Sequence, residues 1–267
     1  METNSQKQQD DKTKESRNEL VFSYLTLRNL IGFGGMLLPL ILAIRPSRPS
    51  AYGGFEPSIS DYFYTDRGDI LVVMLCVIGT FLITYKGYGW KEWVLTTLAG
   101  IGGIGVAFVP TKMDCLLLKS ECTNCVLSVH TNNGGVFKTL AGTGWHFAFA
   151  ATFLFALAIM SIFFFTRSDE DPKHRTPEGK TTQKGKRNRV FVICGIIIIA
   201  SLVVLGVYFI SGVDLKPFPT VYAFETIAVE AFGFSWLVKG QTLWPDGEHY
   251  MATGLRMVKE SLNKKSQ

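Results

Sequence analysis

The sequence has no G-x-S-x-G elbow, no H-E-x-x-H and no H-x-x-x-H pair, and only four histidines in 267 residues. The recognised hydrolase and metalloprotease strings are therefore excluded. Charge is scarce as well. Asp, Glu, Lys and Arg make up 18% of the chain, and they are confined largely to tails and loops. The alternating pattern of a membrane barrel strand is missing. So are an internal repeat and a pair of matching broken helices, which speaks against an alternating-access transporter. The first 22 residues are polar and the first apolar run is a full span, so no cleavable signal segment is expected. No motif asks for a cofactor.

What the chain has instead is long apolar runs. Six of them cover Tyr24–Ile44, Asp69–Tyr85, Trp90–Val109, His146–Thr166, Val190–Ile210 and Val221–Val238. A spanning helix needs roughly 17–25 mostly apolar residues to cross ~30 Å of hydrocarbon. A backbone in lipid must satisfy its own hydrogen bonds, so each run reads as a helix. The expected fold is all-α: a polytopic membrane protein, a bundle of six transmembrane helices. Mean hydropathy of +0.21 agrees.

Residues 1–22, rich in Gln, Lys, Asp and Glu, read as a disordered tail. Residues 23–240 form the membrane domain and 241–267 a second tail. Within the domain lie a long loop, 110–145, and a basic linker, 167–189, which reads as structureless.

Lys and Arg are distributed unevenly. Nineteen of the 27 fall before helix 1, at the facing ends of helices 2 and 3, in the linker before helix 5 and after Val238. Seven fall on the other face, and Arg28 lies inside helix 1. The positive-inside rule then places both termini in the cytoplasm, in a multi-pass protein of the cell (cytoplasmic) membrane. The net charge of +5 is a product of this topology and does not point to nucleic acid. Expected partners are membrane lipids, with partner helices or a second copy as further options. Arg28, near the cytoplasmic end of its helix, is expected to snorkel to the headgroups.

Two motifs mislead. Gly100–Ile101–Gly102–Gly103–Ile104–Gly105 matches G-x-G-x-x-G, but the dinucleotide fingerprint needs a strand before it and a βαβ unit around it. Inside a span, small residues let helices approach closely, and packing is the expected role. Cys115, Cys122 and Cys125 share the loop placed outside, where disulfides are permitted. Cys122–Cys125 has C-x-x-C spacing with only His130 nearby. One disulfide is expected there rather than a metal site, and the pairing stays open.

The residues that carry chemistry are polar groups at membrane depth, where burying a charge costs at least ~2.5–3.5 kcal/mol. His146 starts helix 4, Asp69 opens helix 2, and Asp61 precedes it in Pro57–Ser58–Ile59–Ser60–Asp61. Glu225 lies roughly 6 Å below the start of helix 6. Helices 2, 4 and 6 run in the same direction, so these groups share the outer level. A His can take a proton from a hydroxyl or water while a carboxylate orients the ring. His146 as base, with Glu225 or Asp69 orienting it, forms the candidate catalytic set. Ser58, Ser60, Asp61 and Glu230 are candidate ligand-binding residues. Glu230 is about 140° round the helix from Glu225, so it needs a partner on another helix or keeps its proton. The competing reading is one His146–Glu225 hydrogen bond that fixes packing, with Asp69 capping helix 2.

Pro57–Asp61 before helix 2, His146-Phe-Ala-Phe-Ala at the head of helix 4 and Glu225 in the last span resemble the six-helix Frag/DRAM/Sfk-type membrane proteins. That group includes a GPI-anchor lipid-remodelling factor and autophagy modulators. Ser23-Tyr-Leu-Thr-Leu-Arg28, Tyr62-Phe-Tyr-Thr65, Ser235-Trp-Leu-Val-Lys-Gly240 and the basic linker resemble bacterial six-helix integral membrane proteins of unassigned activity. The resemblance covers residues 23–240 and implies a lipid-related function. The sequence thus leads to a protein that binds or modifies a lipid or small amphiphile at the outer leaflet. The alternative is a scaffold or sensor whose polar residues only hold helices together.

Overall fold

The computed structural model of the chain describes residues 25–44, 55–87, 89–111, 144–167, 183–213, 215 and 218–240. The tails 1–22 and 241–267, the three loop cysteines, His130 and linker residues 168–182 lie outside the described residues.

All regular elements among the described residues are helical. α1 spans Leu25–Ala43. A short 3-10 helix, Ser60–Tyr64, leads into α2, Gly68–Thr84. α3 covers Trp90–Phe108. α4, Trp145–Ile159, continues through a π-helical stretch, Met160–Phe164. α5 runs Gln183–Ser211 and α6 Thr220–Lys239. Four of these are long and apolar enough to cross a membrane: α1, α4 with its π-helical end, α5 and α6. α2 is apolar but has 17 residues, and the first turn of α3 carries Lys91 and Glu92.

The expected boundaries hold within a residue or two except at α5. Its helix takes in Gln183–Arg189, the part of the linker read as structureless. Lys, Arg and Gln are good helix formers, and a turn added to an existing helix avoids the cost of nucleation. At 1.5 Å per residue α5 is about 44 Å long, more than the hydrocarbon needs.

Successive helices pack side by side. α2 lies on α3, α3 on α4, α4 on α5 and α5 on α6. Contacts of Gly32 and Gly35 with α6, and of Gly34 with Met74 of α2, bring α1 between the last helix and the second. The glycines of α3 account for two of these seams. A Cβ on Gly79 would stand 2.8 Å from the Gly100 carbonyl oxygen, and one on Gly102 2.9 Å from the Phe149 carbonyl of α4. The G-x-G-x-x-G string thus places α3 against both neighbours, as small residues do in spans.

Trp236, 0% exposed, sits at the middle of the core with Phe81, Tyr85, Phe165 and Phe232 around its ring. Every helix also turns large apolar side chains outward, among them Phe33, Val77, Ile101, Phe155, Val203 and Ile227. An apolar exterior over a packed interior with buried polar groups is the pattern of a protein solvated by lipid.

Arg28 does not reach outward as expected. It is 8% exposed, donates from Nη2 to the Tyr85 hydroxyl at 2.7 Å, and lies 5.3 Å from the centre of that ring. Tyr85, near the end of α2, supplies a hydrogen bond and a π face, and these replace the headgroup contact.

Candidate functional site

One end of the bundle gathers the starts of α2, α4 and α6 and the ends of α1 and α3. Arg67, just before α2, donates to the Ile41 and Leu42 carbonyls at the end of α1. Last-turn carbonyls are short of intrahelical partners and accept from side chains, the Ile41 carbonyl also accepting the Ile44 N–H at 3.4 Å. The same shortage at the start of α6 is met by the segment before α2. The Tyr222 N–H, in the first turn of α6, donates to the Pro57 carbonyl at 2.9 Å. The Tyr222 hydroxyl donates to Pro39 of α1 at 2.7 Å, and its ring lies 5.8 Å from that of Tyr62.

Glu225 lies just under one turn further along α6 and accepts the Ile59 N–H on Oε2 at 2.7 Å. Ser58 and Asp61 are locked together. The Ser58 hydroxyl donates to Asp61 Oδ2 at 2.8 Å and accepts the Asp61 N–H at 3.1 Å. The other carboxylate oxygen, Oδ1, accepts from the Thr111 hydroxyl at 2.9 Å. Burial raises the Asp61 carboxyl above its ordinary range, against the opposing pull of its hydrogen bonds from Ser58 and Thr111. Burial, and then the Asp61 charge, push the Tyr64 phenol up to about 12. Tyr64 therefore keeps its proton and donates to the Thr111 carbonyl.

His146 is 3% exposed, and its Nδ1 lies 2.6 Å from the Val109 carbonyl oxygen at the end of α3. A carbonyl can only accept, so this bond puts a proton on Nδ1, and in the neutral ring Nε2 then carries the lone pair. The ring is oriented by backbone, and neither Glu225 nor Asp69 orients it. Glu225 is occupied with Ile59, and Asp69 is exposed in the first turn of α2.

Ser58, Asp61, Thr111, His146 and Glu225 line one side of a cavity of about 580 Å3, whose remaining wall comes largely from apolar residues of α4 and α5. That volume falls within the roughly 300–1,000 Å3 of small-molecule sites. A second cavity of about 50 Å3 adjoins it, lined by Ser60 and almost wholly apolar otherwise. Glu225, with Ala150 and Leu154, belongs to both linings. Ser58, Asp61, His146 and Glu225 are thus brought together, with Ser60 in the lining of the smaller cavity. Asp69 and Glu230 line neither cavity.

Thr111 and the Val109 carbonyl are the parts that sequence reasoning missed. Both follow α3, and nothing in the spacing ties them to Asp61 or His146. Among the described residues no three His, Cys, Asp or Glu side chains are grouped to hold a metal ion, and Cys76 and Cys194 are unpaired thiols within α2 and α5.

No family model matches the chain, and no curated protein or solved structure gives a significant match.

Proposed function

We propose that this is a six-span protein of the cell membrane, both termini cytoplasmic, that binds a lipid or small amphiphile from the outer leaflet. The observation that carries this reading is the two-sided cavity. Hydrogen-bonding groups at its polar side face an apolar wall, as an amphiphile requires. The Lys and Arg bias puts that end of the bundle outside. α2 and α3 then cross alongside the other four helices, since each is packed between neighbours. The Frag/DRAM/Sfk-type resemblance points the same way.

The polar side is rich in acceptors: two carboxyl groups and, in the neutral ring, Nε2 of His146. No Lys or Arg is among the described residues that line it. A headgroup bearing hydroxyl or amine donors fits this lining better than a bare phosphate. His146 Nε2 is also placed to take a proton from such a hydroxyl or from water, which is where modification of the lipid would begin.

A scaffold reading has its own support, because the Glu225–Ile59 and His146–Val109 bonds each fasten one segment to another. One substitution separates the two. Asn places its amide nitrogen near the position of Nδ1, so His146→Asn retains the donor to Val109 and removes the base. Lipid mass spectrometry would compare cells lacking the protein, cells with the wild type, and cells with a normally expressed His146→Asn form. A lipid class that changes with the wild type alone is the expected result. An identical profile in wild-type and variant cells would leave His146 with packing only.

A further inference from the structure

α4 and α5 touch closely at one end and part at the other. Away from the large cavity they are sealed. A Cβ on Gly195 would stand 3.0 Å from the Ala158 carbonyl, and the Ser161 hydroxyl donates to the Phe191 carbonyl at 2.7 Å. The Phe165 and Phe191 rings stack edge-on at 5.5 Å.

About three turns further along α5 the packing is gone, since a Cβ on Gly206 would meet nothing within 4 Å. The two helices line the cavity there with the same spacing. Besides His146, α4 contributes the set Phe147, Ala150, Ala151 and Leu154; besides Tyr208, α5 contributes the set Leu202, Leu205, Gly206 and Phe209. Each set is i, i+3, i+4, i+7, one apolar face of a helix. At the level of the polar groups the gap is crossed by one ring contact, Phe147 against Phe209, centroids 5.4 Å apart. Both rings are about half exposed, at 53% and 51%.

In water such a gap would be driven shut. In a bilayer it is not, because lipid tails are as apolar as the side chains that line it. α4 and α5 are both long and apolar enough to cross a membrane, so in a bilayer the outside of this gap would face acyl chain. A partner helix, roughly 10–12 Å across with its side chains, is too wide for a mouth spanned by two touching rings.

We infer that the gap between α4 and α5 is a lateral entrance through which a donor-headed, acyl-chain lipid passes from the bilayer into the cavity. The Phe147 and Phe209 rings form its gate, and the open space beside Gly206 seats the chain. This inference rests on the lipid-binding reading of the cavity and adds the route and the position of the tail.

The test uses the full chain in lipid nanodiscs and a monoacylglycerol with a diazirine in its acyl tail. The wild type should be labelled on the facing stretches 147–154 and 202–209. Gly206→Phe fills space that is empty, so it should fold and lose labelling at least tenfold. Replacing Phe147 and Phe209 together by Ala should speed labelling several-fold while leaving its final extent near that of the wild type.

Labelling of Gly206→Phe at the wild-type level would overturn the seat, and an unchanged rate in the double Ala form would overturn the gate. Either result with a labelled wild type leaves lipid binding standing. A wild type labelled on neither stretch would sink the binding reading together with the entrance.

Discussion

Asp61 combines two roles: its side chain is held by Ser58 and Thr111, yet it lines a cavity. Its pKa in the folded protein lies above the ordinary 3.8 because burial outweighs the hydrogen bonds. The folded state therefore holds this proton more tightly than the unfolded chain does. Its contribution to stability is complete below about pH 3.8 and is lost as pH rises through the folded pKa. The thermal midpoint of the wild type should decline with rising pH through that window, and the decline should be shallower in Asp61→Asn, as thermal melts in detergent would record. An equal slope in both would mean that Asp61 is not the group responsible. At this scale the sequence was partly legible. Ser58, Asp61, His146 and Glu225 stood out as polar groups where apolar runs begin. Their partners did not, because Ile59 N–H and the Val109 carbonyl are backbone groups of a kind found all along the chain. Asp69 shared the same level but is exposed, and level alone cannot tell which way a helix faces.

Among the helices, close approach is governed by glycine, and the glycines are not equivalent. Gly100 of α3 sits where a Cβ would overlap the Gly79 carbonyl of α2, while Gly206 of α5 borders empty space. Gly100→Leu should cost about 1–3 kcal/mol through overpacking. Gly206→Leu should melt close to the wild type, since nothing has to move. Fluorescence-detected thermal unfolding of the two variants checks this, and equal losses would contradict the difference in packing. The apolar runs located these helices well because length and composition alone define a span. They could not show that α5 begins at Gln183, since a basic, helix-favouring segment reads alike whether it precedes a helix as its first turns or lies in a loop. Nor could they show that α4 ends in a π-helical turn, where Ser161 and Phe165 meet α5.

For the molecule as a whole, alternating helix directions bring the starts of α2, α4 and α6 to one end, and the cavity lies there because three chain segments cap one another. The proposed orientation puts that end outside. A reporter fused after Lys216 should read as extracytoplasmic and one fused after Arg187 as cytoplasmic; the reverse pattern would invert the site. The helix count and the shared level of the polar residues were visible in the sequence. The cavity was not, because it is a space between α4 and α5 that depends on where those helices fail to touch.

Whether this space holds an amphiphile is answered by native mass spectrometry of the full chain released directly from membrane. One lipid-sized adduct per wild-type chain is expected, lost or much reduced in the His146→Asn, Glu225→Gln form, which keeps both backbone hydrogen bonds. A bare chain from the wild type, or the same adduct on both proteins, would contradict amphiphile binding in the cavity.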